Sequence, residues 1–182
     1  MADAAVPKLT YFPVHAKGEA IRMLLHKAGV QFEDVRISRE QLAEMRESGA
    51  LPAGGQVPLF EYQGRTLNQS NAILRMLGRQ HGYYPSDNLD ESYLIDWALE
   101  ASLDLWASKA YHAWLFEKNE EETAECVTHF AKFNQQVAAK LAERGADATF
   151  FAGARVTIAD FILFSHYMSM AFNDGCTKPV KE

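Results

Sequence analysis

Cysteine is scarce in this chain of 182 residues: there are two, Cys126 and Cys176, 50 positions apart. With no His cluster at ligand spacing beside them, they read as free thiols rather than as a disulfide or a metal site. No C-x-x-C pair occurs, which removes disulfide-exchange chemistry. Runs of basic residues are missing too. The balance of 18 Lys+Arg against 24 Asp+Glu, a net charge of −6, argues against nucleic acid and against anionic lipid surfaces as partners. Apolar runs are short: Ile158 to Phe164 and its like are interrupted well before the roughly 20 residues that span a bilayer. Met1 to Lys8 carries no basic stretch leading into an apolar one, so a secretory leader is not expected and a cytoplasmic protein is. What is abundant is core material, with 48% hydrophobic and 12% aromatic residues spread along the chain.

Two patterns divide the chain. Up to residue 82, short strand and helix signals alternate: strands at Lys8–Phe12 and Glu33–Ile37, helices at Glu19–Ala28 and Glu40–Glu47, a Pro/Gly-rich loop at Leu51–Gln56, and strands at Leu59–Tyr62 and Arg65–Leu67 around a Gln63-Gly64 turn. A helix over Gln69–His81 closes this unit, with Ile73, Leu74 and Leu77 inward. Residues 83–90 read as a linker. Residues 91–182 return no alternating pattern, and helices are expected at Glu91 to about Leu115, Glu121–Glu143 and Ile158–Phe172. Thr157 and Asp160 mark a capped start for the last of these. The fold class is therefore α/β followed by all-α.

A βαβα unit followed by a hairpin and a helix, with Val57-Pro58 ahead of the third strand, is the layout of a thioredoxin-like fold. Pro58 lacks an N–H for the ladder but suits a strand's first position, and by itself reads most simply as an ordinary trans proline at a strand edge. A cis bond would instead present the Val57 backbone to a peptide ligand. In place of the missing cysteine pair stands Tyr11, whose phenol can donate one hydrogen bond to an anion. A tyrosine at a strand end can equally be packing.

Four segments taken together resolve more than any one. Leu9-Thr10-Tyr11-Phe12-Pro13-Val14, Gly18-Glu19-Ala20-Ile21-Arg22-Met23-Leu24-Leu25, Gln56-Val57-Pro58 and Gln69-Ser70-Asn71-Ala72-Ile73-Leu74-Arg75 resemble, in order and spacing, the cytosolic glutathione transferases of the pi and sigma classes. Tyr93–Leu105 and Val156–Phe161 are similar to that family's helical half. The resemblance implies a dimeric cytoplasmic detoxification enzyme with glutathione as co-substrate and no metal or other cofactor. It implies that Tyr11 stabilises the glutathione thiolate, that Lys17, Arg46, Gln56, Val57, Pro58, Gln69 and Ser70 contact the tripeptide, and that Asp104 reaches the ligand of the neighbouring subunit. Ser70 opens a helix, where hydroxyl and backbone N–H groups suit a carboxylate, although Gln69-Ser70 also serves as a plain helix start. Phe12, Val14 and Trp114 match positions lining an apolar pocket for a small electrophile, and core packing is the alternative for each.

The chain departs from the family pattern in places. Lys17 and Ala16 stand where arginine and glycine are usual, Leu42 where a tryptophan is usual, and Pro52-Ala53-Gly54-Gly55 lacks an aromatic that inserts into a partner subunit. A dimer would then depend on polar contacts such as Arg75 and Arg79 with Asp96, charges that can equally form a solvated rim. The sequence also reads as C-terminally shortened, which would expose apolar surface on Ile158–Phe172 unless a partner covers it. The implied reaction is conjugation of glutathione to a small electrophile, with peroxide reduction or prostaglandin isomerisation as variants. The competing reading is a non-catalytic subunit of a larger assembly that retains the tripeptide site.

Overall fold

The computed structural model describes residues 6–52, 54–108, 120–144 and 149–172. The order is β1 (Lys8–Tyr11), α1 (Glu19–Lys27), β2 (Glu33–Arg36), α2 (Arg39–Glu47), β3 (Leu59–Tyr62), β4 (Arg65–Leu67) and α3 (Ser70–His81). Among the described residues three long helices follow: α4 (Leu89–Ala107), α5 (Glu120–Ala142) and α6 (Ile158–Phe172). The four strands lie in the order β2-β1-β3-β4, with β1 parallel to β2 and antiparallel to β3, and β3 antiparallel to β4. This is the thioredoxin-like half followed by a helical half that the periodicities lead one to expect.

Local chemistry explains the element ends. Gly29 at φ +68° releases the chain after α1, a conformation that costs glycine little. Ser38 and Gln41 form a reciprocal capping box at the start of α2. The stretch 83–90 proves shorter as a linker than its composition suggests, because Asn88 accepts from the N–H groups of Asp90 and Glu91 and starts α4 at Leu89. Leu115, the expected end of that helix, lies outside the described residues. The last helix has the bounds expected from sequence. Its Asp160 carboxylate accepts from the Thr157 N–H at 2.8 Å, the Thr157 hydroxyl at 3.1 Å and, across the preceding loop, the Phe151 N–H at 2.8 Å.

Helix α6 is the centre of the assembly. It packs against α1 of the first half and α4 of the second, so Ile158, Ala159, Ile162, His166 and Met170 are buried. Burial of this kind is the main favourable contribution to folding, about 25 cal/mol per Å² of apolar surface. Among the described side chains of this helix, the exposed apolar ones, Phe164 at 53% and Tyr167 at 41%, share one edge.

Asp160→Ala removes the acceptor from two backbone N–H groups in a part-buried loop, leaving donors unsatisfied. The expected loss is about 2–3 kcal/mol of stability, by analogy with other lost caps and buried bonds. Urea unfolding should register it as a lower midpoint at unchanged slope, and a midpoint within error of the parent would rule the role out.

Candidate functional site

Tyr11 ends β1 and is only 4% exposed, yet its side chain forms part of a cleft wall. Its ring lies against Gly18, where an added Cβ would come within 2.7 Å of the tyrosine Cδ1, so glycine there lets the first turn of α1 approach the ring. Burial pushes the phenol up to about 12, opposed by the backbone N–H of Lys17, which donates to the phenol oxygen, and by the charge of Arg22. The hydroxyl is therefore neutral at physiological pH. With its oxygen already accepting from Lys17, its proton is available to an anion in the cleft.

Arg22, in α1, holds this arrangement from behind. Its guanidinium is buried and donates to Asp34 Oδ1 at 3.0 Å, Glu19 Oε2 at 3.0 Å, and the carbonyls of Val14 and Phe12 at 3.2 Å each. It also lies 5.8 Å from the centre of the Tyr11 ring. The turn between β1 and α1 is thus bonded at two carbonyls to a single planar cation. From the other side, the Ser169 hydroxyl of α6 donates to the His15 carbonyl.

Two adjoining cavities open along the ends of β1 and β3. The larger, about 420 Å³, is lined by Tyr11, Phe12, Lys17, Arg39, Leu42, Arg46, Gln56, Val57 and Trp106. The second, about 230 Å³, shares Lys17, Gln56 and Val57 and continues past Pro58, Asn68 and Leu103 to Gln69 and Ser70 at the start of α3. The Val57-Pro58 bond is cis, not the trans bond that the dipeptide alone suggests. Gln69 has φ +68° and ψ +97°, a region costly for any residue with a Cβ. It makes no side-chain capping bond, so a plain N-cap does not account for it. Asn71, the second residue of α3, donates to the Leu99 carbonyl at 3.0 Å and fastens this end of the helix to α4. The arrangement offers a helix N-terminus at one end, an aromatic hydroxyl near the other, and a backbone rim between them: a site shaped for an extended anionic peptide.

The residues singled out from sequence are distributed as follows. Tyr11, Phe12, Lys17, Arg46, Gln56, Val57, Pro58, Gln69 and Ser70 all line one cavity or both. Arg46 donates from Nε to the Gly55 carbonyl at 2.9 Å, bracing the loop ahead of β3. Leu42 is buried at the cleft wall in the place of the absent tryptophan. Val14 is half-buried against the core and lines neither cavity, because Arg22 holds its carbonyl inward. Asp104 is exposed on α4 and also lines neither, although its neighbour Leu103 does. Trp114 lies outside the described residues. Arg75, named from sequence as a polar dimer contact with Asp96, pairs with it inside one chain at 2.8 Å and with Glu100 at 2.7 Å, joining α3 to α4. Arg79 packs over the Tyr84 ring, whose hydroxyl donates to Asp96.

Sequence reading missed Trp106, Arg39 and the role of Arg22. Trp106 was detectable: Ile95, Leu99, Ser102 and Trp106 fall on one helical face, the face that turns inward. Arg22 gave no signal, since an arginine between apolar residues looks like a solvent-facing interruption.

The family model for the glutathione S-transferase N-terminal domain matches residues 7–79. Glutathione S-transferase P 10 of Caenorhabditis elegans is 32% identical over 164 residues, covering 88% of this chain and 73% of that protein. Glutathione S-transferase A4 of Mus musculus is 38% identical over 71% of this chain and 58% of its own length, and glutathione S-transferase 1 of Ascaris suum 42% identical over 47% and 40%. The chain thus matches less than two thirds of the last two proteins. Among solved structures, the glutathione S-transferase of Ascaris lumbricoides superposes with a TM-score of 0.73 at 31% identity, covering 88% of this chain and 78% of that one. Prostaglandin synthase D of Nilaparvata lugens does so with 0.71 at 27% identity, over 88% and 78%.

The raised phenol has a consequence for stability that needs no ligand. A group whose native pKa lies above its unfolded value of 10.0 stabilises the fold fully below pH 10 and loses that contribution as pH climbs towards 12. Tyr11→Phe has no proton to lose there. The difference in urea midpoint between parent and variant should therefore shift against the parent from pH 10 to 12; a constant difference would mean that the phenol is not buried.

Proposed function

Because the chain belongs to the glutathione S-transferase family, we propose that it binds glutathione along the two joined cavities and transfers its sulfur to a small apolar electrophile. One observation carries the reading: a neutral, buried tyrosine hydroxyl with its proton to give forms the wall of a cleft continuous with the N-terminus of α3.

The chemistry follows from the groups present. The γ-glutamyl carboxylate lies against Ser70 and the first N–H groups of α3, where the helix end favours negative charge. Gln69 adds a side-chain contact, and its backbone conformation turns the chain into the ligand. The cysteinyl unit pairs with the Val57 backbone, and Gln56 and Arg46 take the glycine end. The sulfur then lies at Tyr11. Lowering a thiol from about 8.5 by roughly two units requires about 2.7 kcal/mol in favour of the thiolate. One hydrogen bond to a charged acceptor contributes about 1.5–3 kcal/mol, so a single phenol is sufficient. The Lys17 N–H and the Arg22 charge both draw electron density from the phenol and strengthen it as a donor. The thiol proton leaves to solvent, the sulfur lone pair forms the bond to the electrophilic carbon, and a leaving group departs with its electron pair. Phe12 and Trp106 supply the apolar wall beside the sulfur. No metal or redox cofactor takes part.

On the same reading the protein is a cytoplasmic homodimer in which Asp104, exposed on α4, meets the γ-glutamyl amine of the partner's ligand. Light scattering tests the assembly, and a mass of about one chain at micromolar concentration would dismiss it. Isomerisation of a prostaglandin-like substrate is the second reading, favoured by the likeness to prostaglandin synthase D.

Tyr11→Phe should lower the rate with glutathione and a chromogenic aryl halide at pH 6.5 at least about tenfold while glutathione binding is largely kept, because the bound thiol returns towards its free pKa. Thiolate absorbance of the bound tripeptide should show the same displacement. Equal rates for the two proteins would remove Tyr11 from the mechanism.

A further inference from the structure

We propose that the electrophile this cleft selects carries an anionic group, a carboxylate or its equivalent, which pairs with Lys17 while the apolar body rests on Trp106 and Phe12. The proposal rests on the glutathione transferase reading and names the substrate class of the same site.

Charge is distributed unevenly here. The chain has a net charge of −6, yet among the described residues the larger cavity is lined by three cations, Lys17, Arg39 and Arg46, and by no acid. The three cations are not equivalent. Arg39 and Arg46 are exposed on α2, and Arg46 already donates to the Gly55 carbonyl. Lys17 is half-buried where the two cavities join, with its ammonium 5.8 Å from the centre of the Trp106 ring. Burial alone acts on that ammonium and lowers its pKa; among the described residues no carboxylate opposes the effect. A cation drawn part-way out of water without a counterion gains most from an anion brought into the same dry space. The sulfur has Tyr11 for its partner, and the indole holds the ammonium on the apolar side of the cleft, where the second substrate must lie. A lysine suits this purpose: a compact charge on a flexible stem follows anions of different reach.

The test compares two aryl chlorides, each activated by two nitro groups flanking the chloride, one with a carboxylate para to the chloride and one without. In both, the glutathione sulfur forms the bond to the ring carbon and chloride leaves with its electron pair. Values of kcat/KM at saturating glutathione, each divided by the uncatalysed rate with glutathione, give a preference ratio for the parent, Lys17→Met and Lys17→Arg. A ratio of about fivefold to tenfold favouring the carboxylate is expected for the parent, the size of one partly screened ion pair. It should fall to about one in Lys17→Met, recover in Lys17→Arg, and shrink with added salt in the parent. A parent ratio near one overturns the proposal while conjugation of the uncharged chloride leaves the underlying reading intact. So does a Lys17→Met variant that slows both substrates equally and lowers the ionisation of the bound thiol, since Lys17 would then serve the sulfur. Turnover of neither substrate sinks both.

Discussion

A guanidinium enclosed by protein is tolerable only if every face of it meets an acceptor, because leaving such a charge unpaired costs several kcal/mol. Arg22 meets that condition with two carboxylates and two carbonyls drawn from three different segments. Glu19 belongs to its own helix, Asp34 to β2, and Phe12 and Val14 to the turn that follows β1. The demand for acceptors therefore dictates the path of that turn. The path in turn sets where the Tyr11 hydroxyl points and where the Lys17 N–H meets it. Removing the guanidinium would leave Glu19 facing the interior without its strongest partner, so the effect would spread beyond one bond.

The same turn is gripped by the helical half. Ser169 of α6 reaches the His15 carbonyl, and α6 lies between α1 and α4. Asn71 and Arg75 add a second seam between α3 and α4. The cleft is consequently walled by both halves, with β-strand ends and the start of α3 on one side and Trp106 and Leu103 on the other. A cavity assembled from two units that share a core can offer backbone for recognition from one and apolar surface for a second substrate from the other.

Much of this was readable beforehand. Strand and helix order, the hairpin at Gln63-Gly64 and the capped start of α6 follow from periodicity and turn chemistry, and seven of the expected site residues that line the cavities stand in the four family-like segments. The misplacements share a cause. Asn88 began α4 earlier than the polar composition of residues 83–90 suggests, because one side chain satisfying two N–H groups outweighs average composition. Val14 was assigned to the pocket by position, but the bond to its carbonyl pulls it towards the core. Arg75 and Asp96, read as a dimer contact or as a solvated rim, pair inside one chain, where a contact forms without the entropy cost of association.

By itself the amino-acid sequence determined what depends on neighbours along the chain: which stretches alternate and which repeat every three to four residues, where helices can be capped, and which residues could donate to an anion. It also offered Tyr11 as a phenolic donor at a place where no cysteine pair stands. Only the tertiary structure decided that Val57-Pro58 is cis, that Gln69 takes a left-handed backbone, that Trp106 closes the cleft and that Arg22 lies beneath it. Each of these depends on groups far apart in the chain meeting in a space from which water is excluded, where acceptor geometry and packing outweigh the local preference of any single residue.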